Sequence, residues 1–107
     1  RLLTRFDRNP YAPPTFKQSL ELVDEDVLNA LIEQDALVRV APDVLFKREA
    51  YEQMVGMIRQ HLQTHGQITV AECRDMFGAS RKYVLGLLEY LDQQRITKRE
   101  GDARVLR

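Results

Sequence analysis

The apolar positions of this chain recur first at helical steps, then alternate, and later repeat that change of period. Val27, Leu28, Leu31 and Ile32 form a stripe at three- and four-residue spacing, which predicts a helix ending near Asp35. Asp24 suits its N-cap, and Glu25 and Asp26 favour the positive end of the helix dipole. Leu37 to Val40 then reads as a strand, Pro42-Asp43 as a turn, and Val44 to Phe46 as the returning strand. Upstream, residues 9–14 hold three prolines and form a rigid connector. Pro14 can open a short helix over about 14–22, on which Phe16, Leu20 and Val23 share a face.

From Glu49 the helical period returns in its longest run, through Tyr51, Met54, Val55, Ile58 and Leu62, with a stop at His65-Gly66. Ile68 makes a very short extended piece. Thr69 and Glu72 have capping-box spacing before Cys73, Met76 and Phe77, and Gly78 closes that helix. Ser80 can cap a third helix bearing Val84, Leu87, Leu88 and Leu91. After Gln94 the pattern alternates: Ile96 and Val105-Leu106 predict two strands around a Glu100-Gly101-Asp102 turn. That alternation sends Arg95 and Thr97 to one face, and Ile96 and Lys98 to the other. Helix, short strand, helix, helix and hairpin is the winged-helix order, a helix-turn-helix core followed by a wing. The stretch from Val27 to Phe46 repeats the order seen from Val84 to Leu106. The expected fold class is therefore mainly α with small β wings (α+β). It consists of two tandem winged-helix modules: 1–48, lacking part of its opening helix, and 49–107.

Composition adds constraints. The 107 residues are 44% hydrophobic and 30% charged, as in an ordinary globular domain. Two modules of about 50 residues would each be marginal alone and must pack on each other or on something larger. The net charge is zero, but residues 79–107 carry seven Lys/Arg against four Asp/Glu, while the remainder is acidic. A single cysteine, Cys73, allows no internal disulfide and fits a reducing cytosol. No apolar run reaches membrane-spanning length and no signal-peptide pattern opens the chain. The missing initiator Met suggests a piece of a longer protein.

Candidate chemistry is sparse. His61 and His65 stand four apart on one helix, but no His-Glu-x-x-His pattern surrounds them, and they read as surface or helix-end residues. Cys73 lies on an apolar stripe and reads as a small buried hydrophobe. The acids at 24–26 read as a helix cap, and no phosphate loop is present. Two basic constellations remain. Ser80, Arg81, Lys82 and Tyr83 sit at a helix start, where unpaired N–H groups and the dipole attract phosphate. Arg81 can also hydrogen-bond a base edge or stack, and Tyr83 can stack. The plainer reading is an exposed helix start kept soluble by charge. Arg95, Lys98, Arg99 and Arg104 flank the wing, with Gly101 at its tip. The plainer reading there is a hairpin guarded against edge-to-edge pairing. Both clusters together, in an otherwise acidic chain, point towards a polyanion. A winged-helix DNA regulator would lay its third helix along the major groove. The later positions Gly86, Glu89 and Gln93, taken as exposed, are neutral or acidic and favour a compact anion site instead. A protein-docking role suits the acidic first half, read as a spacer.

The segment from Ile68 to Asp92 closely resembles the last winged helix of the selenocysteine-specific translation elongation factor family, SelB. The likeness lies in a helix-turn-helix ending in Ser80-Arg81-Lys82-Tyr83, then a leucine-rich helix ending in Glu89-Tyr90-Leu91-Asp92. Gly101-Asp102-Ala103-Arg104 is similar to the family's wing, and residues 11–16 look like part of its preceding module. The resemblance implies a non-catalytic fragment that binds the SECIS hairpin of selenoprotein mRNA. It implies a cytoplasmic factor, monomeric, that delivers selenocysteinyl-tRNA to the ribosome at UGA codons. It implies no cofactor in this stretch, since GTP and magnesium belong to a GTPase part lying upstream. By position, Ser80, Arg81, Lys82, Tyr83, Lys98, Arg99, Gly101 and Arg104 would be the RNA-binding residues.

Overall fold

The computed structural model describes residues 2–107. In chain order the elements are α1 (Leu2–Arg8), α2 (Phe16–Ser19), α3 (Glu25–Glu33), β1 (Leu37–Ala41), β2 (Val44–Lys47), α4 (Arg48–His65), β3 (Ile68–Thr69), α5 (Val70–Phe77), α6 (Arg81–Gln93), β4 (Thr97–Glu100) and β5 (Ala103–Leu106). β1 and β2 form an antiparallel hairpin, and the second sheet runs β3-β5-β4, also antiparallel. Helices with small sheets, a helix-turn-helix and a wing make a winged-helix α+β fold.

The local chemistry explains most of the boundaries. α5 begins with a complete capping box: the Thr69 hydroxyl accepts from the Glu72 N–H, and the Glu72 carboxylate accepts from the Thr69 N–H. α2 begins the same way at Thr15 and Gln18. That box starts the helix one residue after Thr15 rather than at Pro14, and the helix is shorter than the apolar spacing predicts. Asp24 and Ser80 occupy N-cap positions, but neither side chain makes the capping hydrogen bond. Gly66 and Gly78 end α4 and α5 in the left-handed conformation, with φ of 82° and 60°.

α3 and α6 end in the same unusual way. Asp35 and Arg95 take positive φ (62° and 61°). The following N–H groups, of Ala36 and Ile96, reach back to the carbonyls of Leu31 and Leu91. This is the Schellman arrangement, built on residues that have a Cβ. Arg95 is thus a helix-terminating residue rather than a strand residue. The expected alternation shifts accordingly: Thr97 is fully buried, Ile96 is half-buried, and Lys98 is exposed.

One large core runs through both halves of the chain. Val38, Val40, Val44 and Phe46 from the first hairpin join Met54, Ile58, Leu62, Ile68, Val84, Leu87 and Leu88 in a single cluster. A smaller cluster of Leu2, Phe6, Leu28, Leu37 and Leu45 lies beneath α1. β2 passes into α4 with no intervening segment, Lys47 serving as the N-cap of α4. Gly86 is buried at the seam. A Cβ there would lie 3.3 Å from the Ala41 Cβ and 3.6 Å from a Val44 methyl, so the α6 backbone closes directly onto the first hairpin. The expectation of an exposed Gly86 is corrected: it is buried, and a side chain there would press on the Ala41 side chain.

Candidate nucleic-acid interface

Arg81, Leu85 and Glu89 lie at four-residue steps along one face of α6 and line a cavity of about 340 Å³. The opposite wall is the start of α5 (Thr69, Val70, Ala71), and the wing closes the cavity with Arg99, Asp102 and Arg104. The helix start and the wing therefore meet, as the two basic constellations require. Arg81 and Arg99 are exposed, and among the described residues neither forms an ion pair. The Arg99 Nε donates to the Gly101 carbonyl at 3.0 Å, which fixes the guanidinium against the turn. Gly101 has φ of 61°, the positive value this turn requires. With the N-terminus of α6 at its rim, the cavity offers an anion two guanidinium groups without acid partners and one positive helix end, the start of α5 being capped by Glu72.

Arg104 plays a different part. It is 3% exposed, and its Nε donates to the Asp92 carboxylate at 3.2 Å. The other oxygen of that carboxylate accepts from the buried Thr97 hydroxyl at 2.6 Å. This triad ties β4 and β5 to α6. Counted from the matched helix ends Asp35 and Arg95, Asp92 and Thr97 correspond to Ile32 and Leu37. Arg104, the strand partner of Arg99, corresponds to Leu45, the strand partner of Arg39, and all three counterparts lie in or against the smaller apolar cluster. The wing thus carries a hydrogen-bonded ion pair where the first hairpin carries hydrocarbon.

Other expected site residues lie elsewhere. Lys82 points away from the cavity, and its ammonium sits 2.9 Å from Asp43 in the β1–β2 turn. Asp43 also accepts from the Lys17 backbone N–H at 2.9 Å, so it joins the starts of α2 and α6. Tyr83 is half-buried. Its hydroxyl donates to the Pro13 carbonyl at 2.5 Å, and its ring lies against Phe46 with centroids 6.1 Å apart. Both side chains fasten the first half to the second. Lys98 is exposed on β4 next to Arg99, 3.8 Å from Glu100 and outside the cavity lining, and Ser80 is exposed at the helix start. Sequence reasoning gave no site role to the start of α5, or to Asp102 and Asp92, although both acids stand in the motifs quoted above. The Thr69 capping box marked that helix start and could have pointed to it.

The Asp43 clamp has a pH signature. Hydrogen bonds from Lys82 and from the Lys17 backbone hold the Asp43 carboxyl below its ordinary 3.8, and Lys82 is raised correspondingly. A depressed folded-state value means the stabilisation is complete above the unfolded value and is lost as pH falls through the folded one. Lowering pH from about 5 to about 3 should therefore cost the wild-type chain more stability than Asp43→Asn, read from urea midpoints. Parallel losses in the two proteins would show that the clamp contributes nothing.

The remaining reactive groups carry little chemistry. Burial pushes the Cys73 thiol up to about 12, so it is not a nucleophile near neutral pH. His61 and His65 stack with ring centroids 4.5 Å apart, and the His61 Nε2 lies 3.7 Å from Glu72. Among the described residues, no group of three or more His, Cys, Asp or Glu side chains could hold a metal ion. No described helix is long and apolar enough to cross a membrane.

Comparison with known proteins supplies the family. Residues 60–106 match the family model described as elongation factor SelB, winged helix. The selenocysteine-specific elongation factor of Desulfomicrobium baculatum is 32% identical over 101 residues, covering 89% of this chain and 16% of that protein. The Escherichia coli (strain K12) factor is 29% identical over 80 residues, covering 75% and 13%. The chain therefore spans about a sixth or less of the curated relatives it matches. Among solved structures, the mRNA-binding domain of E. coli SelB in complex with SECIS RNA aligns with a TM-score of 0.69 at 29% identity, covering 75% of this chain and 66% of that one. A bacterial selenocysteine-specific elongation factor, EF-Sec, shares the fold with a TM-score of 0.73 at 23% identity, covering 88% and 16%. Taken with the helix-turn-helix and wing described above, these matches mean that the chain belongs to the SelB elongation-factor family, with residues 60–106 as a winged-helix segment.

Proposed function

We propose that this chain binds the SECIS hairpin of selenoprotein mRNA and so tethers the factor that brings selenocysteinyl-tRNA to UGA codons. The observation that carries the reading is the meeting of Arg81, Arg99 and the start of α5 around one cavity. An A-form stem hides its base edges in a deep, narrow groove, so a small protein reads backbone shape and unstacked loop or bulge bases. A compact cradle with two free guanidinium groups suits that target. Arg81 and Arg99 act as the direct cations, with Ser80 and Gly101 at the rim and Arg104 holding the wall. Lys98 contributes from the margin of the site, while Lys82 and Tyr83 fasten the two halves of the chain together. The E. coli domain solved with SECIS RNA adds support by likeness.

In this reading the chain is two tandem winged-helix modules, 1–48 and 49–107. The support is the shared succession of a capping-box helix, a Schellman-terminated helix and a hairpin. The first module, whose α3 starts with Glu25 and Asp26, serves as a spacer, and its own helix start does not repeat the Arg81 site. The role is binding, not catalysis. GTP, magnesium and ribosome contacts belong to other parts of a cytoplasmic factor.

Laying α6 along a DNA major groove fits poorly. Its Gly86 side is closed by the first hairpin, and its free side continues from Arg81 into Leu85 and Glu89. A competition titration tests the choice. The expected order is SECIS hairpin first, scrambled-loop hairpin well behind, and duplex DNA weakest at equal salt. Equal affinity for duplex DNA would overturn the proposal.

A further inference from the structure

A second cationic cavity lies on the far side of α6 from the Arg81–Arg99 cradle. It has a volume of about 630 Å³, and its lining includes Arg5 and Arg8 of α1, Asn9, Pro13 of the connector, Gln18 and Tyr83. Arg81 and Tyr83 are two residues apart, about 200° around the helix, so the first turn of α6 separates the two cavities. Arg5 and Arg8 are exposed and stand three apart on one helix face. Among the described residues neither is matched by an acid within ion-pair distance. The acid between them in sequence, Asp7, is held at 2.8 Å by Lys47. Glu21 is the one carboxylate in the lining, against two guanidinium groups. The dipole of a seven-residue helix favours cations in its last turn, where both arginines stand. It does not explain why two unmatched forks border the larger cavity.

We propose that this cavity is a second RNA-backbone site, in which Arg5 and Arg8 grip phosphodiester groups while the Asn9 amide and the Gln18 NH2, whose oxygen caps α2, face an adjoining nucleotide. The inference rests on the RNA-binding reading above and extends it to the first half of the chain. Guanidinium forks match phosphate oxygens bidentately. The cavity is far larger than a free phosphate needs. The connector contributes acceptors and few donors, because proline has no N–H, and this suits sugar hydroxyls and base amino groups beside the phosphate. The phosphates can come from the stem of the hairpin already held by Arg81, or from a separate RNA.

Calorimetric titration of the 107-residue chain with the hairpin across a salt series tests this, using Arg5→Gln/Arg8→Gln. If the same hairpin reaches both cavities, stoichiometry stays one to one and the double variant lowers the slope of log K against log salt by about 1.5, two phosphate contacts. If a separate RNA binds, a weaker second event appears, shared by a scrambled hairpin, and the double variant abolishes it alone. Glu21→Gln should strengthen whichever of the two is seen. An unchanged slope with no second event to lose overturns the proposal. Thermal melts of the same variants check that the fold is intact. Arg81→Ala in parallel separates the two ideas. If it weakens hairpin binding while Arg5→Gln/Arg8→Gln does not, only the second site falls. If neither does, the RNA reading falls with it.

Discussion

Arg104→Ala is expected to destabilise the fold by about 2–3 kcal/mol, the largest single effect predicted for this chain. Removing one partner of a buried ion pair commonly costs about 3–5 kcal/mol, because the other charge stays buried without compensation. Asp92 retains 25% of its side-chain exposure, so water can partly replace the guanidinium, which places the loss at or just below the bottom of that range. In a chain of this size the melting temperature should fall by about 10 °C or more. The matched positions of the first half supply the control. Ile32, Leu37 and Leu45 fill with hydrocarbon the space that Asp92, Thr97 and Arg104 fill with a polar network. Transplanting them as Asp92→Ile, Thr97→Leu and Arg104→Leu should leave stability unchanged or raised, since well-packed apolar replacements of buried ion pairs often do. A single variant that melts with the wild type, or a triple variant that unfolds, would show that the network is not what fastens the wing.

Arg81→Ala should weaken hairpin binding by about 1–3 kcal/mol, the range for a specific bidentate contact. The loss should come with a reduction of about one in the salt slope if the partner is a phosphate. Lys82→Ala offers the instructive comparison. Its ammonium is already committed to Asp43 at 2.9 Å, so its removal should alter hairpin affinity less than that of Arg81, although the two are neighbours in sequence. Equal losses at both positions would mean that RNA recruits Lys82 away from the clamp. No loss at Arg81 would remove the basis for the cradle.

Periodicity carried the second half of the fold well. The stripe from Tyr51 to Leu62, the Thr69–Glu72 spacing and the Gly101 turn each correspond to an element with the expected cause. The resemblance to the SelB winged helix pointed to the helix start and the wing before their proximity could be known. What escaped was set by tertiary contact. α1 lay unread because two buried residues, Leu2 and Phe6, are too few to establish a period. The face assignment of the wing failed because Arg95 adopts positive φ to end α6, and sequence gives little warning when a residue other than glycine or asparagine does so. Neighbours in the basic run were separated in the same way. Nothing in Ser80-Arg81-Lys82-Tyr83 announces that Lys82 and Tyr83 face Asp43 and Pro13, residues about forty and seventy positions earlier.

The seam at Gly86, with one hydrocarbon core on both sides of it, has a mechanical consequence. A wing joined by a swivel would absorb a sideways tug on the gripped nucleic acid as local slack. With no swivel at the seam, such a tug would pass into the first hairpin through the shared core and turn the 41 Å body as a unit.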